Sequence, residues 1–162
     1  KRTKARRAVH RDGDWHRSVH VWIVDKERKV VVMQKRSPGK DTYPNRWDIS
    51  SAGHIEFGGD SKDTAIREVA EELGIECSER ELEFGFTCPA RQAPQGCNCY
   101  EDVYFVARDR ESCHFAIGEA EVTAVKWVEI ELLKKLLDDE DKDYVPRVEQ
   151  YRLAFFKILE RI

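Results

Sequence analysis

Residues 53–75 read GHIEFGGDSKDTAIREVAEELGI, and this stretch decides the fold of the chain. Asp60, with Asp63 three residues later, predicts the start of a helix, and Gly74 predicts its end. Between them, four apolar residues follow the i, i+3, i+4, i+7 spacing of a helix that packs one face on a core. These residues are Ile66, Val69, Ala70 and Leu73.

Three glutamates lie on the opposite face of this predicted helix. Glu68, Glu71 and Glu72 are close enough along a helix for their carboxylates to repel one another, which costs helix stability unless a cation lies over them. A hard divalent metal ion is the simplest such cation, because it prefers oxygen ligands. The alternative is a solvated acidic face on a surface helix. The residues upstream of the helix favour the metal.

A short apolar strand and a glycine-rich loop, residues 48–59, lead into the helix. With the helix they resemble the Nudix box, the signature of hydrolases that cleave diphosphate linkages. Gly59 departs from the family pattern, because the family has there a glutamate that braces the loop through the motif arginine, here Arg67. We expect a looser loop and not an inactive enzyme. The matching positions are Gly53, Arg67, Glu68, Val69, Glu71, Glu72, Gly74 and Ile75.

The composition predicts one globular domain. The chain has 162 residues, 41% of them hydrophobic and 36% charged, which suffices for one sizeable core. We expect a basic tail at residues 1–12 and a single domain at residues 13–162. The net charge of −3 makes nucleic acid an improbable partner. No apolar run of about 18 residues and no apolar leader is found, so we expect no membrane contact and a cytoplasmic location, as a monomer or homodimer.

The hydrophobic pattern along the chain predicts an α/β fold with a mixed sheet between helical layers. The resemblance implies the same architecture, the α/β/α sandwich of the Nudix fold. Five cysteines without a Cys-x-x-Cys pair indicate reduced thiols, and we assign them no role. Strands are predicted at residues 18–25, 29–36, 47–53, 82–92, 100–109 and 121–129, and helices at about residues 131–137 and 145–161.

A diphosphate carries several negative charges, which must be neutralised before water can attack phosphorus. Mg²⁺ or Mn²⁺ can do this, and Glu68, Glu71 and Glu72 can hold it; by the resemblance, the backbone carbonyl of Ala52 completes the set. A general base must also take a proton from the water. The candidates are Glu68 and Glu71, if released from the metal, and Glu101, which is equally well explained as an ordinary acid at a strand edge.

Residues 34–47 carry the cations that a diphosphate needs. This segment resembles the diphosphate-gripping stretch of isopentenyl diphosphate isomerases, which share the Nudix fold. Arg36 and Lys40 are therefore the predicted ligands of the phosphate oxygens. Trp47 is a candidate for stacking on a substrate group, although a tryptophan at the start of a strand is more often part of the core.

The isomerases also supply an alternative function. His16 and His54 match two positions of their histidine-rich metal site, and His10 is a candidate third ligand. However, the isomerases need a cysteine where this chain has Ala52, and they have lost much of the acidic helix. The chain is most similar, over about residues 10–150, to the isomerase-like branch of Nudix hydrolases, which includes a plant form fused to a dipeptidyl peptidase III domain.

Hydrolysis is therefore the predicted reaction, on a nucleoside diphosphate derivative or an isoprenoid diphosphate. A third hypothesis is a Nudix-fold module that binds a nucleotide or a protein without cleaving it. Such modules usually lose acids from the helix, whereas this chain keeps Glu68, Glu71 and Glu72. Gly59 is the one feature that favours a binding module.

Overall fold

The fold is a seven-stranded mixed sheet between helices, as predicted. The computed structural model describes residues 3–91, 97–118 and 120–161, without the side chain of Arg6. Its elements in chain order are α1 (Arg6–Asp12), β1 (His16–Asp25), β2 (Val30–Arg36), β3 (Trp47–Asp48), β4 (Ser51–His54), α2 (Ser61–Leu73), β5 (Glu83–Arg91), β6 (Asn98–Ala107), β7 (Val122–Glu129), α3 (Ile130–Asp138) and α4 (Glu149–Leu159).

The sheet is built around β1, which is buried along eight successive residues. The strand order is β3-β2-β1-β6-β5, with β4 also paired to β1 and β7 also paired to β2. β1 and β6 run parallel, whereas the other pairs are antiparallel. This arrangement places the starts of β1 and β6 side by side, with His16 opposite Cys99 and Ser18 opposite Glu101.

Two hydrophobic clusters cover the two faces of the sheet. On one face, Val69 and Leu73 of α2 pack against Val19 and other apolar residues of β1. On the other face, Leu133 of α3 and Phe155 of α4 belong to a cluster that includes residues of β1, β2 and β6. The architecture is thus the expected α/β/α sandwich. Among the described residues, no helix is long and apolar enough to cross a membrane.

Helix α2 has the predicted ends. The Asp60 carboxylate accepts hydrogen bonds from the backbone N–H groups of Lys62 and Asp63, at 2.8 and 3.2 Å, and so caps the first turn. Gly74 has a φ of 68°, in the left-handed region, and its N–H bonds back to the carbonyl of Ala70. The local sequence therefore determines the bounds of this helix.

Residues 6–12, which belong to the predicted basic tail, form helix α1. Two predictions about elements were wrong in part. The predicted strand at 47–53 is two strands, because the buried Ser50 hydroxyl donates to the carbonyl of Val32 and accepts from the N–H of Ile23 at the break. α4 begins only at Glu149; Pro146 disfavours helical geometry at Val145, and Arg147 is paired with Asp48 of β3. Residues 1 and 2 of the predicted tail, residue 92 of the predicted strand at 82–92 and residue 162 of the predicted domain lie outside the described residues.

Candidate active site

The motif glycine of the loop lets an acid of α2 lie directly against β4. A Cβ built on Gly53 would lie 2.1 Å from the carboxyl carbon of Glu68, so any larger residue here would displace the Glu68 side chain. Glu68 is half-buried there, and Arg67 pairs with it at 3.1 Å. Burial, only partly offset by Arg67, raises the pKa of Glu68. The Gly53–Glu68 contact thus holds a desolvated carboxylate at one wall of a cavity.

Glu72 lies behind Glu68 and is 3% exposed. Its Oε2 accepts three hydrogen bonds, from the Gln34 side-chain amide at 3.0 Å, the Ser51 hydroxyl at 2.8 Å and the Ala52 N–H at 3.1 Å. Burial raises the pKa of Glu72 to about 7 despite these donors. The carboxylate therefore ties α2 to β2 and β4, and it is Glu68 and Glu71 that line the cavity itself.

The cavity has a volume of about 880 Å³ and brings most of the predicted site residues together. Glu71, on the exposed side of α2, lines the wall beside Glu68, and its carboxylate lies 4.0 Å from Arg67 Nε. The predicted residues among the lining are His10, Arg36, Lys40, Ala52, His54, Glu68, Glu71 and Glu101.

Glu101 lies in β6 and is 4% exposed. Its Oε1 is 3.7 Å from His20 Nε2, and within the described residues its Oε2 has no hydrogen-bond partner. Burial raises the pKa of Glu101 to about 7 and lowers that of His20 to about 3, so the contact joins a carboxyl group to a neutral imidazole and is not an ion pair. Glu101 is thus a buried acid with one oxygen available to a ligand.

His20 lies between Glu101 and a buried tyrosine hydroxyl. The Tyr151 hydroxyl accepts a hydrogen bond from the indole N–H of Trp22 at 2.9 Å, and it lies 3.2 Å from His20 Nδ1. Donation of the hydroxyl proton to Nδ1 uses the one donor that this hydroxyl has, and it corresponds to the tautomer with the ring proton on Nε2, facing Glu101. This chain of hydrogen bonds fixes the imidazole beside the acid.

Two arginines share one buried carboxylate at the cavity wall. Asp48 pairs with Arg36 at 2.9 Å and with Arg147 through its other oxygen. Burial alone would raise the pKa of Asp48, but Arg147 and Arg36 outweigh burial and hold it below the usual range. Two guanidinium groups on one carboxylate leave one net positive charge at this wall, which suits a phosphate. The sequence carried no motif that pointed to Arg147 or Asp48.

Of the predicted substrate contacts, Lys40 faces the cavity and Trp47 faces the core. Lys40 lines the cavity and pairs with Glu121. Trp47 does not line it; its indole packs against the core cluster on the α3–α4 face, and Lys126 Nζ lies 4.0 Å from the ring centroid. The stacking role predicted for Trp47 is not supported by this position. Tyr43 is the aromatic residue of that segment that faces the cavity.

The three candidate histidines of the sequence lie together at one side of the cavity. Helix α1 brings His10 against His16 and His54, with ring centroids 4.8 to 5.1 Å apart. Cys97, to which no role was assigned, lies beside them. Neither α1 nor this cysteine was recognised from the sequence, because only the folded chain brings these distant segments together.

Known proteins share both the sequence and the fold of this chain. The family model of the NUDIX domain matches residues 14–148. Nudix hydrolase 3 of Arabidopsis thaliana is 41% identical over 150 residues, covering 89% of the chain but only 19% of the longer plant protein. The prenyl-diphosphate phosphatase of Methanosarcina mazei is 30% identical over 144 residues, covering 88% of the chain and 80% of that protein.

Among solved structures, the MutT protein of Methanosarcina mazei matches with a TM-score of 0.67 at 18% identity, covering 91% of the chain and 94% of that protein. This likeness concerns the fold alone, whereas the family model and the two relatives concern the sequence as well. The matched region includes β4, the loop and α2, where Gly53 and Glu68 meet. The chain belongs to the Nudix hydrolase family.

Proposed function

We propose that this domain uses Mg²⁺ or Mn²⁺ to hydrolyse a diphosphate linkage in a small molecule, with an isoprenoid diphosphate as the preferred substrate class. One observation carries the proposal. A single cavity has the α2 carboxylates Glu68 and Glu71 on one wall and the Arg36–Asp48–Arg147 cluster on another. Carboxylates suit a divalent metal, and the surplus guanidinium charge suits phosphate oxygens.

The acidic wall fits a divalent metal. Glu68 and Glu71 would hold it, together with the backbone carbonyl of Ala52. Glu72, which lies behind Glu68, would supply a further carboxylate ligand. The absence of a side chain at Gly53 lets the half-buried Glu68 carboxylate approach the strand that carries Ala52. Desolvated acids at this wall favour a neighbouring cation, because a cation stabilises their ionised forms. When bound, the metal neutralises the diphosphate and so makes phosphorus accessible to water.

We assign the general base to Glu101. Its Oε2 has no partner among the described residues, and its pKa of about 7 keeps it near half-ionised at neutral pH, as an efficient base requires. Glu71 is a poorer candidate, since it is largely exposed and lies beside Arg67. In this role Glu101 takes the proton of the attacking water, with the neutral His20 imidazole 3.7 Å from its other oxygen.

Arg147, Arg36 and Lys40 would bind the phosphate oxygens. Arg147 is the strongest candidate, because it is buried and its side chain is fixed by Asp48, so little side-chain entropy is lost on binding. Lys40 would exchange its pairing with Glu121 for phosphate. The loop that contains Lys40 also contributes Tyr43 and Thr42 to the cavity.

Two observations favour an isoprenoid over a nucleoside diphosphate. The Methanosarcina mazei relative named as a prenyl-diphosphate phosphatase is matched over 80% of its length. In addition, Tyr43 is the one phenol, phenyl or indole ring among the described residues that line the cavity, so no pair of such rings is available to enclose a nucleobase.

The test is a substrate panel. Purified protein with Mg²⁺, and in parallel with Mn²⁺, is incubated with isoprenoid diphosphates and nucleoside diphosphate derivatives, and released phosphate and monophosphate are measured. We expect release from isoprenoid diphosphates that chelator abolishes. Glu101→Gln should lower kcat by at least about 10²-fold, whereas Glu76→Gln, an exposed control acid, should not. Release from no member would favour a binding module, and interconversion of isopentenyl and dimethylallyl diphosphate would favour an isomerase.

A further inference from the structure

Two cysteine side chains meet at the wall of the cavity. Cys97 precedes β6 and Cys99 lies within it, and both line the cavity. Their Sγ atoms are 2.9 Å apart, whereas a disulfide bond measures about 2.05 Å, so the two sulfurs need to approach by less than about 1 Å. We propose that Cys97 and Cys99 form a reversible disulfide when a hydroperoxide enters the cavity. This inference does not rest on the proposed function.

The backbone permits this bond. Along an extended chain, residues two positions apart have side chains on one face and Cα atoms about 6.6 Å apart. The Cα atoms of a disulfide lie about 4.4 to 6.8 Å apart, so this spacing is near the upper limit. The residue between the two cysteines is held in place, because the Asn98 side-chain amide donates to the carbonyl of Gly13 at 2.9 Å. The bond can therefore form with little change of the backbone, and its strain keeps it open to reduction.

The two thiols differ in exposure, which assigns their roles. Cys97 is half-buried at the cavity wall, whereas Cys99 is 1% exposed. Cys97 is therefore the thiol that a hydroperoxide reaches first, and Cys99 is the resolving thiol. Cys99 Sγ also lies 3.2 Å from His16 Nε2. The contacts with Cys97 and His16 hold the Cys99 thiol within reach of the sulfur that it would attack.

The oxidation takes two steps. The Cys97 thiolate attacks one oxygen of the hydroperoxide, the O–O bond breaks, and Cys97 becomes a sulfenic acid while the other oxygen leaves and takes up a proton. The Cys99 sulfur then attacks the Cys97 sulfur, the S–O bond breaks, and the hydroxyl group leaves as water with the proton of the Cys99 thiol. The two thiols lose two electrons, and the hydroperoxide gains them. A dithiol reverses the oxidation by thiol–disulfide exchange.

The other three cysteines are less suited to this reaction. Cys88 is 1% exposed, and Cys77 and Cys113 are half-buried against the cluster on the α2 face. Burial raises the pKa of all three thiols, which lowers the fraction of reactive thiolate. In the part of the chain that the structure describes, the contact of Cys97 with Cys99 is the one hydrogen-bond contact between two sulfurs. Oxidation should therefore be selective for this pair.

The experiment uses the full chain, reduced, freed of metal with a chelator and then separated from the reductant. A small molar excess of hydrogen peroxide is added, the remaining thiols are alkylated, and tryptic peptides are analysed by mass spectrometry. Both cysteines of the pair fall in the peptide of residues 92–108, and the other three fall in peptides 68–80, 81–91 and 111–126. We expect peptide 92–108 to lose two hydrogens and to escape alkylation at least about 10-fold faster than any other peptide is oxidised. Dithiothreitol should restore both thiols.

Variants test the two roles. Cys99→Ser should stop at a sulfenic acid on Cys97, which dimedone traps, because the resolving thiol is missing. Cys97→Ser should slow the oxidation of peptide 92–108 by at least about 10-fold, since Cys99 is buried. Cys113→Ser is the matched control and should behave as wild type. No oxidation of peptide 92–108, faster oxidation of another cysteine, a disulfide between two chains, or over-oxidation of this peptide in place of a disulfide would overturn the proposal.

Discussion

At the scale of single residues, the site depends on close contacts between residues of the motif, and the sequence pattern alone does not reveal these contacts. Gly53 and Glu68 are both motif positions, and the structure gives their physical relation: the glycine has no side chain because the carboxylate occupies that space. Glu101 lies outside the motif and differs from the α2 acids in having a buried oxygen without a hydrogen-bond partner in the part of the chain that the structure describes. These two positions lead to two predictions.

Gly53→Ala should impair catalysis more than folding. The new methyl group would meet the Glu68 carboxylate at about 2 Å, and the side chain can move away only by leaving its place at the cavity wall. We expect kcat/KM to fall by at least about 10²-fold with a small change in melting temperature, measured by steady-state kinetics and thermal unfolding. Gly39→Ala is the control, since its Cβ would approach the nearest atom, Ser37 Oγ, only to 4.0 Å. Equal activity of Gly53→Ala and wild type would contradict the assigned role of Glu68.

Glu101 should make the fold less stable as pH rises. Its folded pKa of about 7 exceeds the ordinary value of 4.5, so the folded state binds more protons between these values and loses stability as pH rises through this window. His20 acts in the opposite direction, because its folded pKa is lowered to about 3. The difference in unfolding free energy between wild type and Glu101→Gln isolates Glu101.

We expect this difference, wild type minus variant, to fall by on the order of 2 to 3 kcal/mol from pH 4.5 to 8 in urea titrations of metal-free protein. The same comparison with Glu83→Gln, an exposed acid of β5, should be flat. A flat difference for Glu101 as well would show that its carboxyl group is not desolvated, and it would remove the basis for its assignment as the base.

At the scale of elements, the sequence predicted what local spacing determines. Helix α2 has its predicted cap and end because Asp60, the apolar stripe and Gly74 act within one segment. The sequence analysis missed the division of the strand at 47–53, which depends on the buried Ser50 hydroxyl. It also missed the late start of α4, since Arg147, just before the helix, pairs with the distant Asp48.

Gly74→Ala tests the end of α2. Gly74 has a φ of 68°, and a Cβ there would lie 2.6 Å from the Cβ of Ala116, so the substitution should cost about 2 to 4 kcal/mol of unfolding free energy through strain and a clash. Gly58→Ala is a matched control, with a φ of 79° and nothing within 4 Å, and it should show the backbone strain alone, about 1 kcal/mol.

A second substitution separates the two terms. In urea unfolding, Gly74→Ala combined with Ala116→Gly should regain part of the unfolding free energy that the clash removes. The part lost to backbone strain should not return. If Gly74→Ala and Gly58→Ala cost the same, the contact with Ala116 does not contribute.

At the scale of the whole molecule, residues far apart in sequence complete the site. Asp48 of β3 and Arg147, which precedes α4, meet at the cavity, as His10, His16, His54 and Cys97 do beside it. No spacing in the sequence encodes such meetings, so Arg147 and Cys97 were missed. The two interpretations of Trp47, stacking on a substrate or packing in the core, could not be separated for the same reason: an amphipathic residue at the start of a strand can face either side, and here it packs against the core cluster.

Arg147→Met should affect stability and substrate binding together. The side chain is buried, and of its two guanidinium partners among the described residues Asp48 would keep Arg36, so we expect a loss of about 3 kcal/mol in unfolding free energy. Asp48→Asn, added to Arg147→Met, should restore part of this unfolding free energy. The asparagine amide is neutral, so the double variant has no buried carboxylate that has lost its arginine. KM for the diphosphate should remain high in both variants, since the phosphate has lost the guanidinium group. A KM restored by Asp48→Asn would mean that Arg147 holds Asp48 in place and does not bind the substrate.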